Sequence, residues 1–151
     1  MKKTPEIILA EKNMSPGVIT AEGFLGDDDL SLSEIITRDE CEMRALKMDF
    51  NRVAAILEHL IREGEKGLGE PITIDNRWLV QILEAKGALP CPFGHQGLYR
   101  KTAAEITCLK SKETLLVTEL SLHLFRDHHF MQGKGSPFRL EPVKLGVIFC
   151  E

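Results

Sequence analysis

Cys91, His95, His123 and His128 are the residues whose types and spacing point to chemistry. A thiolate and neutral imidazoles are the donors that zinc collects in tetrahedral sites. The segment Cys91-Pro92-Phe93-Gly94-His95 also carries the proline and glycine that a tight knuckle needs to turn two donors inward. The order of knuckle, strands and helix is that of many structural zinc modules, so the expectation is a zinc ion held by these four residues. Two features oppose it. The segment has a single cysteine, whereas structural zinc sites usually have at least two. Residues five apart on a regular helix point roughly 140° away from each other, so His123 and His128 converge only if the helix distorts or ends there. On a regular helix His128 joins the apolar arc of Leu120, Leu124 and Met131, and His123 falls on the polar side with Glu119 and Asp127. Glu119, His123 and Asp127 form a second candidate line for a divalent ion, needing another element to close it; a solvated polar face is the plainer reading.

Other chemistry is conceivable around the same residues. Cys91 with His95 or His128 has the composition of a nucleophile and base in a small enzyme, but the local signatures of cysteine proteases and an orienting Asn or Asp are missing. The loop Gly133-Lys134-Gly135-Ser136 combines exposed backbone amides with positive charge, which predicts a small anionic ligand at Lys134, Ser136 and Arg139. Its spacing is not that of a phosphate-binding P-loop, and the plainer reading is a helix end followed by a turn. Ser121 lies near His123 without a nucleophile elbow. Asp27, Asp28 and Asp29 lack calcium-loop spacing, and adjacent side chains diverge, so they read as a solvated turn.

These residues have to be positioned by an α+β fold: an N-terminal helical hairpin packed on a small antiparallel β-meander that is followed by a helix. One domain is expected over 1–151. Residues 1–32 read as an irregular arm with short strands at the apolar run Ile7-Ile8-Leu9 and at 18–25. Residues 33–66 read as the helical hairpin, with Thr37 and Glu40 in capping-box register, Asp49 capping the second helix and Gly64 closing it. In that second helix Phe50, Val53, Ala54, Leu57, Leu60 and Ile61 recur at three- and four-residue steps. Residues 70–151 read as the meander plus helix. Strands are predicted at 72–74 and 78–83 around an Asp75-Asn76 turn, at 98–109 and at 114–118, with a helix over 119–130 capped by Thr118. The segment 142–149 alternates like a strand, but Pro142 at a first turn favours a helix.

Composition bounds the function from outside. A charged share of 28% and a hydrophobic share of 43% are those of an ordinary globular chain, and the net charge of -4 argues against nucleic acid and anionic membrane surfaces as partners. The helical hairpin nevertheless admits a protein- or DNA-interaction module as an alternative. No basic start leads into an apolar run, and no apolar stretch reaches the length of a membrane span. Cys41, Cys91, Cys108 and Cys150 lack paired spacing, as expected of thiols in a reducing, cytoplasmic setting; Cys108 and Cys150 read as core residues and Cys41 as part of an acidic surface. The sequence thus predicts a cytoplasmic binding protein carrying a metal ion, with the small enzyme as its rival.

Overall fold

The computed structural model describes residues 4–149 and is an α+β fold. Helix α1 (Pro5–Asn13) precedes α2 (Leu32–Ala45) and α3 (Phe50–Gly64), and a 3-10 turn follows at Glu65–Gly67. Strands β1 (Ile72–Ile74) and β2 (Trp78–Leu83) form a hairpin, β3 (Ala88–Pro90) and β4 (Leu98–Arg100) a separate ribbon, and β5 (Ala103–Cys108) and β6 (Thr114–Thr118) a second hairpin. Helices α4 (Glu119–His128) and α5 (Pro142–Phe149) complete the chain.

The main sheet runs β1-β2-β5-β6, antiparallel throughout, with Trp78 opposite Cys108 and Ala104 opposite Val117. Its buried face carries Trp78, Val80, Ile82, Ala104, Ile106, Leu115 and Val117, the alternate residues that a strand presents to one side. Helix α3 lays Val53, Ala54, Leu57 and Leu60 against that face. The helix can approach closely because Gly64 has no Cβ; one there would sit 2.5 Å from Val80 Cγ1. This is the physical role of Gly64, which keeps a right-handed helical conformation instead of forming the expected left-handed cap. The Asp75-Asn76 turn is left-handed at both residues, φ 54° and 56°, as a two-residue hairpin connection requires.

A second core lies beside the first. Ala10 and Met14 of α1, Phe24, Leu32 and Ile35 of α2, Cys91, Phe93, Leu120, Leu124 and Phe130 pack together there. Helix α4 divides the two cores, giving Leu122 and Phe125 to the sheet side and Leu120 and Leu124 to the other.

Several expectations change. The N-terminal arm has no strands among the described residues: Pro5–Asn13 is helical, with Thr4 Oγ1 accepting from Ile7 N and Pro5 in the first turn, and residues 14–30 form turns. The run Ile7-Ile8-Leu9 misled because Ile8 and Leu9 are 55% and 51% exposed, so only one side of the helix is buried. The capping box of α2 is Ser31 with Glu34, six residues before Thr37 and Glu40. The strand expected over 98–109 breaks at 101–102, because its first part pairs with β3 and its second with β2. Asp49 and Thr118 do cap α3 and α4, and the last segment is the helix that Pro142 favoured. Cys108 is buried and Cys41 exposed, while Cys150 lies outside the described residues.

Candidate metal centre

The β3–β4 ribbon exists to carry a turn, and the turn carries the site. Pro90 ends β3, and Gly94 N donates to Cys91 O at 3.0 Å, closing a tight bend in which Gly94 is left-handed at φ 87°. The amides of Phe93, His95 and Gly94 favour the ionised form of the Cys91 sulfur. Asn13 at the end of α1 donates from Nδ2 to Pro92 O at 3.0 Å and holds the knuckle from behind.

Helix α4 brings up the other two donors. His128 is its last residue; His129 turns left-handed at φ 52°, and Phe130 N reaches back to Leu124 O at 3.0 Å. The helix therefore ends where two histidines five residues apart have to converge. The ligand atoms of Cys91, His95, His123 and His128 all lie within 4.8 Å of one another. Cys91 Sγ and His128 Nε2 are 3.6 Å apart. With zinc bonds of about 2.3 Å to sulfur and 2.0–2.1 Å to nitrogen, the sulfur–nitrogen edge of a tetrahedron is also about 3.6 Å, and the nitrogen–nitrogen edge about 3.3 Å. The cluster would match a tetrahedral site after a contraction of at most about 1.5 Å at its widest.

Each imidazole is held by its surroundings. Tyr99 stacks on His123 at 4.5 Å, Phe93 stacks on His128 at 4.0 Å with the planes 6° apart, and His95 lies 4.3 Å from His128. His123 is buried at 5% exposure, contrary to its expected place on the polar side, because the β3–β4 ribbon covers that side of α4 with Tyr99. Its Nδ1 lies 2.7 Å from Asp127 Oδ2, so the imidazole N–H there donates to the carboxylate and the lone pair is left on Nε2. Nε2 is buried with no hydrogen-bond partner. A buried imidazole nitrogen without a partner, beside three other potential donors, could serve as a ligand to a cation.

Electrostatics agree with the geometry. Burial, and then the neighbouring His95 and His123, lower the pKa of His128 to about 4, so it is neutral and able to coordinate at neutral pH. Burial likewise lowers His123, with Asp127 opposing. Burial pushes the Cys91 thiol up, and the amides of Phe93, His95 and Gly94 only partly offset this. A nucleophilic cysteine needs the opposite shift together with access, and Cys91 is buried; a coordinated cation would itself draw off the thiol proton.

The remaining candidates have internal partners. Glu119 is taken up by Arg100, whose backbone N and Nε donate to it at 2.7 and 2.8 Å, so it does not join His123 and Asp127 in a carboxylate line. Arg139 is buried, and its Nη1 and Nη2 donate to Asp39 at 2.8 and 2.9 Å while its Nε donates to Glu141 at 2.7 Å. Lys134 N donates to Asp28 Oδ2 at 3.1 Å, and Ser136 Oγ donates to Gln132 Oε1. Within the glycine loop, the Lys134 amide is thus engaged by the chain's own Asp28 carboxylate. Gly133 serves a backbone crossing, since a Cβ there would overlap the Leu25 carbonyl oxygen.

Sequence reasoning missed Asp127 as an orienting group and Tyr99 as a wall of the site. The four-residue step from His123 to Asp127 was the available signal for the first; the second depends on ribbon pairing that no local pattern encodes. Among the described residues no helix is long and apolar enough to cross a membrane. No protein-family model, curated protein or solved structure matches this chain, so the chemistry of the site is argued from its own geometry.

Proposed function

We propose that the protein is a metal-binding module in which Cys91, His95, His123 and His128 hold one zinc ion in a tetrahedral site. The observation that carries this reading is the buried, unpartnered Nε2 of His123, left free by the Asp127 contact at Nδ1, on a ring grouped with the other three potential donors. One thiolate with three imidazoles suits zinc, which accepts both donor types and imposes no geometry from its d-electrons. Four protein donors leave no open position, which favours a structural role. The ion would tie the β3–β4 ribbon to the end of α4 and lock the second core around Cys91 and Phe93. Cys41, Cys91 and Cys108 form no disulfide, which fits a protein of a reducing, cytoplasmic compartment.

The test is the metal content of protein purified without an affinity metal column, together with melting in the presence and absence of chelator. One zinc per chain is expected. At zinc about a hundredfold above Kd, binding adds ~2.7 kcal/mol, which corresponds to a Tm higher by roughly 5–10 °C. Cys91→Ala and His128→Ala should each lose the metal and the chelator effect. A wild type that binds no zinc and melts identically with and without chelator would overturn the proposal.

A further inference from the structure

The four residues of the proposed metal centre are not held alike. Cys91 is buried in the second core. His123 is buried, stacked on Tyr99 and oriented by Asp127 at 2.7 Å. His128 ends α4 with Phe93 stacked on its ring at 4.0 Å. His95 has no such support. It stands in the irregular stretch between β3 and β4, where residues 94–98 are all exposed. Its ring contacts among the described residues are His123 at 5.2 Å and His128 at 4.3 Å, both members of the same cluster. Its imidazole has no conventional hydrogen-bond partner in the protein among the described residues.

The backbone around His95 gives it room to move away. Gly94 and Gly97 have φ of 87° and 108°, and a Cβ at either would meet nothing within 4 Å. A ligating imidazole ordinarily donates its second N–H to a carboxylate, a carbonyl or water, which fixes the ring and strengthens its bond to the metal. For His95 only solvent can play that part, so of the four it is the one the protein holds least. Charge then decides what could replace it. A divalent ion with one thiolate and neutral imidazoles keeps one positive charge, and a charge left over in a partly buried site is costly. Asp127, next to His128 in the chain, is already engaged by His123 Nδ1 at 2.7 Å and by Arg126 Nε at 3.6 Å. An anionic donor in place of His95 removes the remaining charge, whereas a neutral donor leaves it.

We propose that His95 is an exchangeable ligand: Cys91, His123 and His128 anchor the ion, and a small anionic donor from solvent takes the fourth position in place of the exposed imidazole. This rests on the metal-binding reading above and adds to it a route by which the ion meets an external ligand. With His95 bound the sphere is closed, as in a structural site; with His95 displaced it has the three protein ligands and external fourth donor of zinc sites that take ligands. The step is a substitution. The bond from the metal to the His95 nitrogen breaks, a bond to the incoming anion forms, and the metal keeps its oxidation state.

The test uses the full chain loaded with cobalt(II), whose visible absorption reports its ligands, titrated with azide as the anionic probe and imidazole as the neutral one. Azide should change the wild-type spectrum saturably while the sulfur-to-cobalt charge-transfer band persists, and imidazole should bind more weakly. His95→Ala, at an exposed turn position, should keep one cobalt per chain with affinity lowered only about tenfold, and His123→Ala should lower it by more than about a hundredfold, beyond the loss expected for an outer partner. Azide should bind His95→Ala more tightly than wild type, because no imidazole has to leave first. A wild type that takes up cobalt through its sulfur but ignores azide, binds imidazole as tightly as azide, or loses as much affinity in His95→Ala as in His123→Ala would overturn this inference and leave the metal-binding reading standing. A wild type that takes up neither cobalt nor zinc would overturn both.

Discussion

Asp127 makes no direct contribution to the proposed coordination sphere, yet its removal should weaken zinc binding. Its Oδ2 lies 2.7 Å from His123 Nδ1 across one helical turn, which selects the tautomer that leaves the Nε2 lone pair for the metal and raises the basicity of that nitrogen. Loss of such a partner generally reduces metal affinity 10- to 100-fold. The Asp127 side chain is 40% exposed, so water can replace part of its hydrogen bond, and the lower end applies: about tenfold, or ~1.4 kcal/mol, for Asp127→Ala. Asp127→Asn keeps an acceptor oxygen for the Nδ1–H but loses the charge, so its effect should be smaller, a few-fold. Competition against a chromophoric zinc chelator measures both, and melting of the metal-free forms should show the two variants close to wild type. If Asp127→Ala bound zinc as tightly as wild type, the orienting role of this carboxylate, and with it the argument from the orphaned Nε2, would be refuted.

Three further outcomes follow from the same contacts. Asp39→Asn strips the charge partner from Arg139, whose side chain is 5% exposed, and should cost about 3 kcal/mol, the low end for a broken buried pair because Glu141 still accepts from Arg139 Nε; chemical denaturation measures it. Asp28 gives the pH dependence: burial would raise its carboxyl, but hydrogen bonds from Arg38, Lys134 N and Leu30 N more than reverse this and hold its pKa at about 2 against an ordinary 3.8. Its folded-state pKa is depressed, so its contribution of about 2 kcal/mol is full above pH ~5 and is lost as pH falls toward 2. Asp28→Asn should therefore flatten stability measured between pH 5 and 2, and an unaltered acid profile would contradict the assignment. Gly133→Ala, whose new Cβ meets the Leu25 backbone, should destabilise by about 1–3 kcal/mol in thermal or chemical unfolding.

The parts of the structure that local chemistry dictates were legible in the sequence. The Asp75-Asn76 hairpin, the Asp49 and Thr118 caps and the apolar stripe of α3 each depend on a few adjacent residues. The grouping of Cys91, His95, His123 and His128 was legible as well, because cysteine and histidine around a Pro-Phe-Gly turn are chemically conspicuous and the helix end at His128 was the one condition their spacing imposed. What depended on distant pairing was hidden. The strand over 98–109 is continuous in its residues but divided by two different partners, β3 and β2. The glycines and cations of 133–139 look like an anion loop, and only the fold brings Leu25, Asp28 and Asp39 against them. Helix α1 was missed for a different reason: Thr4, Pro5 and Glu6 do signal a helix start, but a run of three apolar residues outweighed them.

The central claim is that one sulfur and three imidazole nitrogens share a cation. Zinc K-edge X-ray absorption on the zinc-loaded protein tests it most directly. One sulfur at about 2.3 Å and three nitrogens at about 2.0–2.1 Å are predicted, with the sulfur shell lost in Cys91→Ala. A first shell of oxygen and nitrogen alone in the wild type, or a sulfur shell that persists in Cys91→Ala, would contradict the assignment.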